Sequence, residues 1–466
     1  MSAVRTDVVG DRAALVSRGP ARLRSLVLDV VEAGLQAADP APVVRELVSR
    51  GPRGGVVVDG VVHRPGRGGR ILVLGAGKAS VRIAAALEEV LGDAIAEGVV
   101  VAQALPAEGL RRIELLTAGH PLPTYASRRA ALRLLRLAET AGPDDVVLAC
   151  FTGGSSALAS LPAGGVRFEE KRDLHQLLLA SGAPIRDVNT VRKHVSRFKG
   201  GRLAAAANGA AIVNLTVSDV VGDPLDAITD PTVPDTTTTR DAIEVLHAYD
   251  LWDDVAPSIR RHLSTPQAES PALDDGSIQS RILVNGEDVA AAMVRRCADL
   301  GVAAHVLSTG MEGESREVGA ALAAIAVETH DHGRPFSAPC MLLGAGGETT
   351  VTLRHQDHHL GDGGPNQAAA LAAALRVGTG RAIAAAFLDT DGMDGGTGIA
   401  GALVDGSTLE RAAALDLDLR QALLQHRSSD ALCRLGDAIV TGRTGSNVND
   451  LFAIAVDTRQ NGGDPA

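Results

Sequence analysis

The chain has 466 residues, enough for two or three domains with real interiors, and 45% of them are apolar, which excludes a disordered protein. Aromatic residues make up only 2%, so Ala, Val, Leu and Gly do the packing and no aromatic platform exists for stacking nucleic-acid bases. The formal net charge of −11 repels polyanions, which excludes nucleic acid and anionic membrane as partners but leaves a small anion free to bind among local basic residues.

In chain order, the N-terminus lacks the apolar core of a signal segment, and no apolar run is long enough to span a bilayer. Cys150, Cys297, Cys340 and Cys433 are dispersed without a C-x-x-C pair, as free thiols are in a reducing cytosol, so the expected location is cytoplasmic. Residues from about Pro20 to Arg50 carry apolar side chains at helical spacing. A repeated unit follows, in which a short buried strand meets a Gly-rich turn and an Ala/Leu-rich helix. It appears in ILVLGAGKASVRIAAALEEVL and in DDVVLACFTGGSSALASL, and AAIVNLTVSDVVGDP adds a third strand. Continuous apolar strands alternating with helices predict a parallel sheet covered on both faces.

A Pro/Thr/Asp-rich connector over residues 230–280 carries one helix (DAIEVLHAYDLW). A second α/β pattern comes after it: SRILVNGEDVAAAMVRRCADLGV, the strand AAHVLST, the helix REVGAALAAIAVETHD, an expected hairpin CMLLGAGGETTVTL, the helix NQAAALAAALRV and the strand AIAAAFLDTDG. The expected domains are 20–255 and 256–460. The Ala-rich helices suit a homodimer face and ordinary core equally.

Gly75-Ala76-Gly77-Lys78 stands where a strand meets a helix, a place where exposed N–H groups attract anions and a lysine adds a full charge. The spacing is not that of a P-loop, and Ser80 replaces the last glycine of a dinucleotide fingerprint. A tight turn with a surface lysine fits the spacing as well. Gly153-Gly154-Ser155-Ser156 repeats the geometry with two hydroxyls, and Ala157 breaks the pattern of a hydrolase nucleophile elbow. Arg192, Lys193, Arg197, Lys199 and Arg202 cluster in an acidic protein, either to hold a carboxylate or phosphate or as a solvated helix face. Asp219, Asp223 and Asp226, then Asp389, Asp391 and Asp394, follow apolar strands as Mg²⁺-holding carboxylates do. DTDGMDG is not a calcium loop, since Met393 and Ala400 replace oxygen donors. His355, His358 and His359 with Asp357 read as a solvated loop rather than a metal site.

Taken together and in order, LGAGKA, AGHPLP, GGSSAL, NTVRKHVSRFKGGRLA, SDVVGDP with PTVPD, STGMEGESRE, GGETTVTL, GGPNQ, DTDGMDG and GDAIVTGRTGSNVNDL resemble the glycerate 2-kinase family, whose C-terminal half is the MOFRL domain. The resemblance implies a Rossmann-like N-terminal domain, a smaller mixed α/β C-terminal domain, ATP, Mg²⁺, and phosphorylation of the 2-hydroxyl of D-glycerate. It implies a catalytic role for Lys78. It also implies substrate or nucleotide contacts from Gly75, Gly77, Gly153, Gly154, Ser155, Ser156, Arg192, Lys193, Lys199, Asn366, Asn447 and Asn449, and metal contacts from Asp219, Glu348, Asp391 and Asp394.

Three places depart from the family pattern. The usual G-G-R-N-Q-E reads Gly363-Gly364-Pro365-Asn366-Gln367-Ala368, so Pro365 replaces the arginine regarded as catalytic. The usual A-S-G-P-T reads Ile228-Thr229-Asp230-Pro231-Thr232, and the usual P-T-D-A-A-G reads Gly396-Thr397-Gly398-Ile399-Ala400-Gly401. Arg443, in the T-G-x-T-G loop, is the candidate to supply the missing charge in catalysis. Alternative readings are a kinase of another small aldonate or hydroxy acid, an NAD(P)H-dependent hydroxypyruvate reductase, and a ligand-binding protein without catalysis.

Overall fold

The computed structural model describes residues 8–106, 108–273, 275–352 and 361–458. The chain forms two compact units, one of Pro40–Leu283 and the other of Met1–Asp39 together with Val284–Ala466. These units divide the chain differently from the expected 20–255 and 256–460, for two physical reasons. Helix Ala21–Ala37 buries Leu23, Val27, Leu28, Val30 and Val31 against helix Gly286–Asp299 and strand Asp450–Val456 of the second unit. Strand Ile278–Val284 joins the first unit's sheet at its edge. Helices Thr239–Ala248 and Pro257–Leu263 also stay in the first unit, where Leu246 and Ile259 share a core with Val188 and Val191.

The first unit is built on a six-stranded sheet. Its order is Ile113–Thr117, Ile95–Ala102, Ile71–Ala76, Val146–Phe151, Ala211–Val217 and Ile278–Val284. The first five strands are parallel. Ile71–Ala76 and Val146–Phe151 are buried at every position, as strands covered on both faces must be. Two strands that follow Ile71–Ala76 in sequence lie on one side of it, and those that come later lie on the other. This is the doubly wound Rossmann order, with its switch point between Ile71–Ala76 and Val146–Phe151.

The second unit holds a mixed six-stranded sheet in the order Ala303–Ser308, Cys340–Ala345, Asp450–Val456, Ile383–Asp389, Gly401–Asp405 and Ala438–Ile439. Only the first pair is parallel. Helices Ser315–His332 and Pro365–Val377 pack on one another, and Gly319 makes the approach possible: a Cβ there would lie 2.7 Å from the Cα of Ala369. Every residue from Asn366 to Ala374 is buried, so this Ala-rich helix is core of its own unit. The expected hairpin over CMLLGAGGETTVTL does not form. Cys340–Ala345 pairs with Asp450–Val456, while Thr349–Thr350 pairs in parallel with Gly313–Glu314, because the chain leaves the sheet at Gly346, whose φ is 89°.

The buried guanidinium of Arg24 ties the N-terminal helix into the second unit. It donates to Asp405, to Asp437 Oδ1 at 2.7 Å and to the Leu15 carbonyl at 2.6 Å. All four cysteines are free, and only Cys433 is exposed. Among the described residues no helix is long and apolar enough to cross a membrane. His355, Asp357, His358 and His359 lie outside the described residues.

Candidate active site

The first unit gathers its chemistry at the switch point, where the ends of two adjacent parallel strands leave a crevice for ligands. Gly77 and Lys78 follow one strand and Gly153-Gly154 the other, and the Lys78 N–H donates to the Gly153 carbonyl at 2.9 Å. Thr152 stitches the turns further by accepting from the Ala79 N–H at 3.1 Å. Helix Ser80–Leu91 starts directly behind Lys78, so its free N–H groups face the same crevice end. Gly153 is required because a Cβ there would overlap the carboxylate of Asp219. Gly154, at φ 84°, leaves room for a neighbouring imidazole: a Cβ would stand 3.2 Å from His120 Nε2 and 3.6 Å from Lys78 Cγ. Lys78, His120, Gly153, Gly154 and Asp219 are therefore brought together. Gly75 is not part of the loop. It lies inside the sheet opposite Cys150, where a Cβ would meet the Cys150 carbonyl at 2.7 Å.

The basic segment continues this site inward, and the alternative of a solvated helix face does not hold for it. Arg192, Lys193 and Lys199 are all buried. Lys199 Nζ donates to Ser156 Oγ at 2.6 Å and to Asp230 Oδ2 at 3.2 Å, linking the cluster to the Gly153–Ser156 turn. Lys193 Nζ is held by Asp235 Oδ1 at 2.6 Å and Asp226 Oδ2 at 3.5 Å. Arg192 Nη2 lies 2.8 Å from His175 Nε2, and its Nη1 donates to Asn189 Oδ1 at 3.3 Å. Arg202 serves the fold instead, donating to the carbonyls of Lys193, Lys199, Ala268 and Glu269. Arg197 is exposed. Ser155 is buried at the start of the short turn of helix that Ser156 shares.

Burial dominates the electrostatics of this cluster. It pushes the Arg192 guanidinium down to about 10 and the His175 imidazole down to about 3, with Arg192 and Lys199 reinforcing the shift at His175. It lowers Lys199, which Asp230 partly restores, and it lowers Lys171 well below the usual lysine range, helped by Lys199. Lys193 is paired with Asp235 and Asp226 and Lys199 with Asp230, whereas the hydrogen-bond partners of the buried Arg192 are the neutral side chains of Asn189 and His175. A buried guanidinium held by neutral acceptors favours an incoming anion.

In the second unit, loops 346–350, 389–397 and 441–450 meet at one end of the mixed sheet's central strands, Cys340–Ala345, Asp450–Val456 and Ile383–Asp389. Asn449, at φ 61°, accepts at its carbonyl from Thr390 N at 3.0 Å and Thr390 Oγ1 at 2.7 Å. Thr444 donates to the Asp391 carbonyl at 3.2 Å and, through Oγ1, to the Thr390 carbonyl at 2.7 Å, which fixes the neighbouring Arg443 beside Asp391. Asp391 and Asn447 are buried on these loops, whereas Glu348 and Arg443 are exposed.

Asp394 differs from the metal-ligand role its motif implied. Its Oδ1 accepts from Asn366 N at 3.0 Å and its Oδ2 from Gln367 N at 3.0 Å and Gln367 Nε2 at 2.9 Å. It caps the start of helix Pro365–Val377, with both oxygens already engaged by protein donors. Asn366 Nδ2 then bridges Asp394 to Asp450 Oδ1 at 2.6 Å, so Asn366 also belongs to the cap. Pro365 occupies the first position of this helix, which needs no N–H and tolerates its fixed φ. Among the described residues no group of three or more His, Cys, Asp or Glu side chains is placed to hold a metal.

Sequence reasoning missed His120, Lys171, His175 and Asp450. His120 stood inside a quoted motif, AGHPLP. Lys171 and His175 are four apart in FEEKRDLHQ, and two basic side chains on the buried face of an amphipathic helix were a readable signal. Asp450 closes the polar loop that supplied Asn447 and Asn449.

A doubly wound sheet with a lysine, two glycine turns and a buried cation cluster at its switch point defines an α/β enzyme that handles small anions. Comparison with known proteins narrows this class. Residues 26–264 match the model described as a domain of unknown function (DUF4147), and residues 340–450 match the MOFRL family. The chain is 37% identical to the glycerate 2-kinase of Pyrococcus horikoshii over 94% of its own length and 98% of the relative's. It is also 37% identical to a putative hydroxypyruvate reductase of Agrobacterium vitis, covering 93% of this chain and 94% of that one. The crystal structure of the glycerate kinase from Thermotoga maritima superposes with a TM-score of 0.79 at 34% identity, covering 94% of this chain and all of the other. The chain belongs to the glycerate kinase family, and it is a kinase.

Proposed function

We propose that the chain transfers the γ-phosphoryl group of ATP to the 2-hydroxyl of D-glycerate. The observation that carries the reading is the buried cation cluster around Arg192 and Lys199, joined through Ser156 to the turn that holds Lys78, in a chain this similar to a glycerate 2-kinase. In the reaction the 2-hydroxyl oxygen bonds to the γ-phosphorus, the bond from that phosphorus to the bridging oxygen breaks, ADP leaves and the hydroxyl proton is released. Lys78 places its charge where the transferred group gathers negative charge. The cluster holds the carboxylate end of the acceptor by charge-assisted hydrogen bonds.

A kinase nucleotide ordinarily arrives with Mg²⁺, which takes one or two carboxylates and otherwise keeps phosphate and water oxygens. Within the first unit Asp219 fits that mode, a carboxylate on the loop after strand Ala211–Val217; within the second, Asp391 and Glu348 are carboxylates on loops at strand ends. We leave Asp394 out of this set. When bound, the ion neutralises phosphate charge. The reductase reading is weaker, because the fully buried Ser80 donates to the Cys150 carbonyl where a dinucleotide fingerprint needs its last glycine.

The test is ADP release from the purified protein with Mg-ATP against D-glycerate, L-glycerate, hydroxypyruvate and four-carbon aldonates, with NADH oxidation followed in parallel. D-glycerate is the expected acceptor. Turnover confined to another acid would move the substrate assignment, and hydroxypyruvate-dependent NADH oxidation without ADP release would replace the kinase reading.

A further inference from the structure

We infer that His175 is a positioning residue that holds the Arg192 guanidinium so that its Nε edge receives the carboxylate of the acceptor; this rests on the glycerate kinase reading. A guanidinium has only donors, so at 2.8 Å the His175 Nε2 must accept, which fixes the imidazole as neutral with its proton on Nδ1. Asn189 Oδ1 takes the other terminal nitrogen. Two acceptors thus hold the end of the guanidinium and leave the Nε side of the fork.

Arg192 Nε is buried and has no hydrogen-bond partner, in a residue only 8% exposed. An orphaned buried donor on a charged group costs several times what an ordinary hydrogen bond contributes, and such groups persist where a ligand completes them. The surroundings identify the ligand's sign. Lys199 lies in the same cluster, and Lys171, four residues before His175 on helix Phe168–Ala180, gives its buried Nζ to the Val195 carbonyl at 2.7 Å. A planar carboxylate matches the side-on guanidinium fork, with one oxygen on Nε–H and the other on the second N–H of Nη2, whose first is given to His175.

The fold therefore uses helix Phe168–Ala180 as the back wall of the acceptor site, although no motif quoted from the sequence lies on it. Because His175 touches Arg192 and not the reacting atoms, its loss acts on acceptor affinity rather than on phosphoryl transfer.

The experiment is calorimetric titration of D-glycerate without nucleotide into wild type, His175→Leu and His175→Gln, with steady-state kinetics alongside. His175→Leu removes the acceptor at similar volume, and it is expected to weaken D-glycerate binding about tenfold and raise its KM equally, with kcat and the KM for ATP within about twofold. His175→Gln restores an acceptor oxygen and is expected to stay within about threefold of wild type. Melting temperatures show whether each variant folds, and the Gln variant keeps the question open to test if the Leu variant does not. Unchanged D-glycerate affinity in His175→Leu, equal losses in the Leu and Gln variants, or no D-glycerate binding by wild type would each overturn the inference. Wild type that binds D-glycerate without phosphorylating it, with the Leu and Gln variants behaving as expected, would remove the kinase assignment and leave the carboxylate seat standing.

Discussion

Lys78 owes its position to two glycine turns from different strands, since its N–H is bonded to Gly153 and its stem passes beside Gly154 and His120. Its charge stands on the turn itself, whereas that of Lys199 is held by Asp230, so Lys78→Ala is expected to lower kcat by about 10³-fold or more with the melting temperature unchanged. Lys78→Arg, which keeps the charge but not the compact ammonium, should recover only part of it. The second residue-scale question is the arginine missing at Pro365. Pro365 and Arg443 flank the same loop: Gly364 packs against Asp394, and Gly442 packs its carbonyl against Gly392. If Arg443 supplies the missing cation, Arg443→Ala lowers kcat/KM by about 10²–10³-fold, and Pro365→Arg in that background restores much of it. The double variant is the discriminating sample. Failure of Pro365→Arg to rescue, in a protein that melts normally, would mean the two cations are not equivalent.

At the scale of elements, helix Pro365–Val377 shows how a motif's acidic residue comes to be structural. Four donor contacts from Asn366 and Gln367 converge on the Asp394 carboxylate, yet burial outweighs them and pushes its carboxyl up to about 6; the same cause raises Asp450, beside it through Asn366, to about 6. A carboxyl whose folded pKa lies above its unfolded value binds an extra proton in the folded state between those two values. Stability from such a group rises as pH falls through about 6 towards 4 and is absent above it. Asp394→Asn removes this titration, so the stability gap between wild type and variant should widen by about 1.4 kcal/mol from pH 7.5 to pH 5. Urea unfolding at several pH values reads the gap, and a gap independent of pH would show that the cap's donors cancel the cost of burial.

The same scale explains what was legible beforehand. Continuous apolar strands and helical periodicity are local signals, and they gave the parallel sheet, helix Ser315–His332 and the strand Ile383–Asp389. Partner choice is not local. Nothing in SRILVNGED says that its strand joins the first sheet while the following helix packs in the second unit, and nothing in GGETT says that the turn separates two sheets. In the site, charge types were readable but burial was not. Arg192, Lys193 and Lys199 looked the same in sequence as the exposed Arg197, and nothing in DTDGMDG marked Asp394 as the cap of a helix that starts nearly thirty residues before it.

For the whole molecule, the N-terminal segment belongs to the unit completed by the C-terminal half, and one buried ion cluster accounts for much of that tie. Arg24, Asp405 and Asp437 are each fully buried in their side chains, and Arg411 Nη2 gives Asp437 a second partner at 2.8 Å. Removing the arginine leaves the buried Asp437 with Arg411 alone and the buried Asp405 with Ser407 as its near donor, and breaking a buried pair in this way costs roughly 3–5 kcal/mol, far more than the pair contributes over an apolar replacement. Arg24→Met is therefore expected to lower the melting transition of the second unit by on the order of 10 °C. The first unit keeps its own sheet, including strand Ile278–Val284, and has no residue before Pro40. Its transition should stay where it is. Calorimetry with limited proteolysis distinguishes the two: the variant should yield an intact fragment close to residues 40–283 at temperatures where the rest of the chain is digested. Equal losses in both units would show that helix Ala21–Ala37 supports more than the unit whose core it enters.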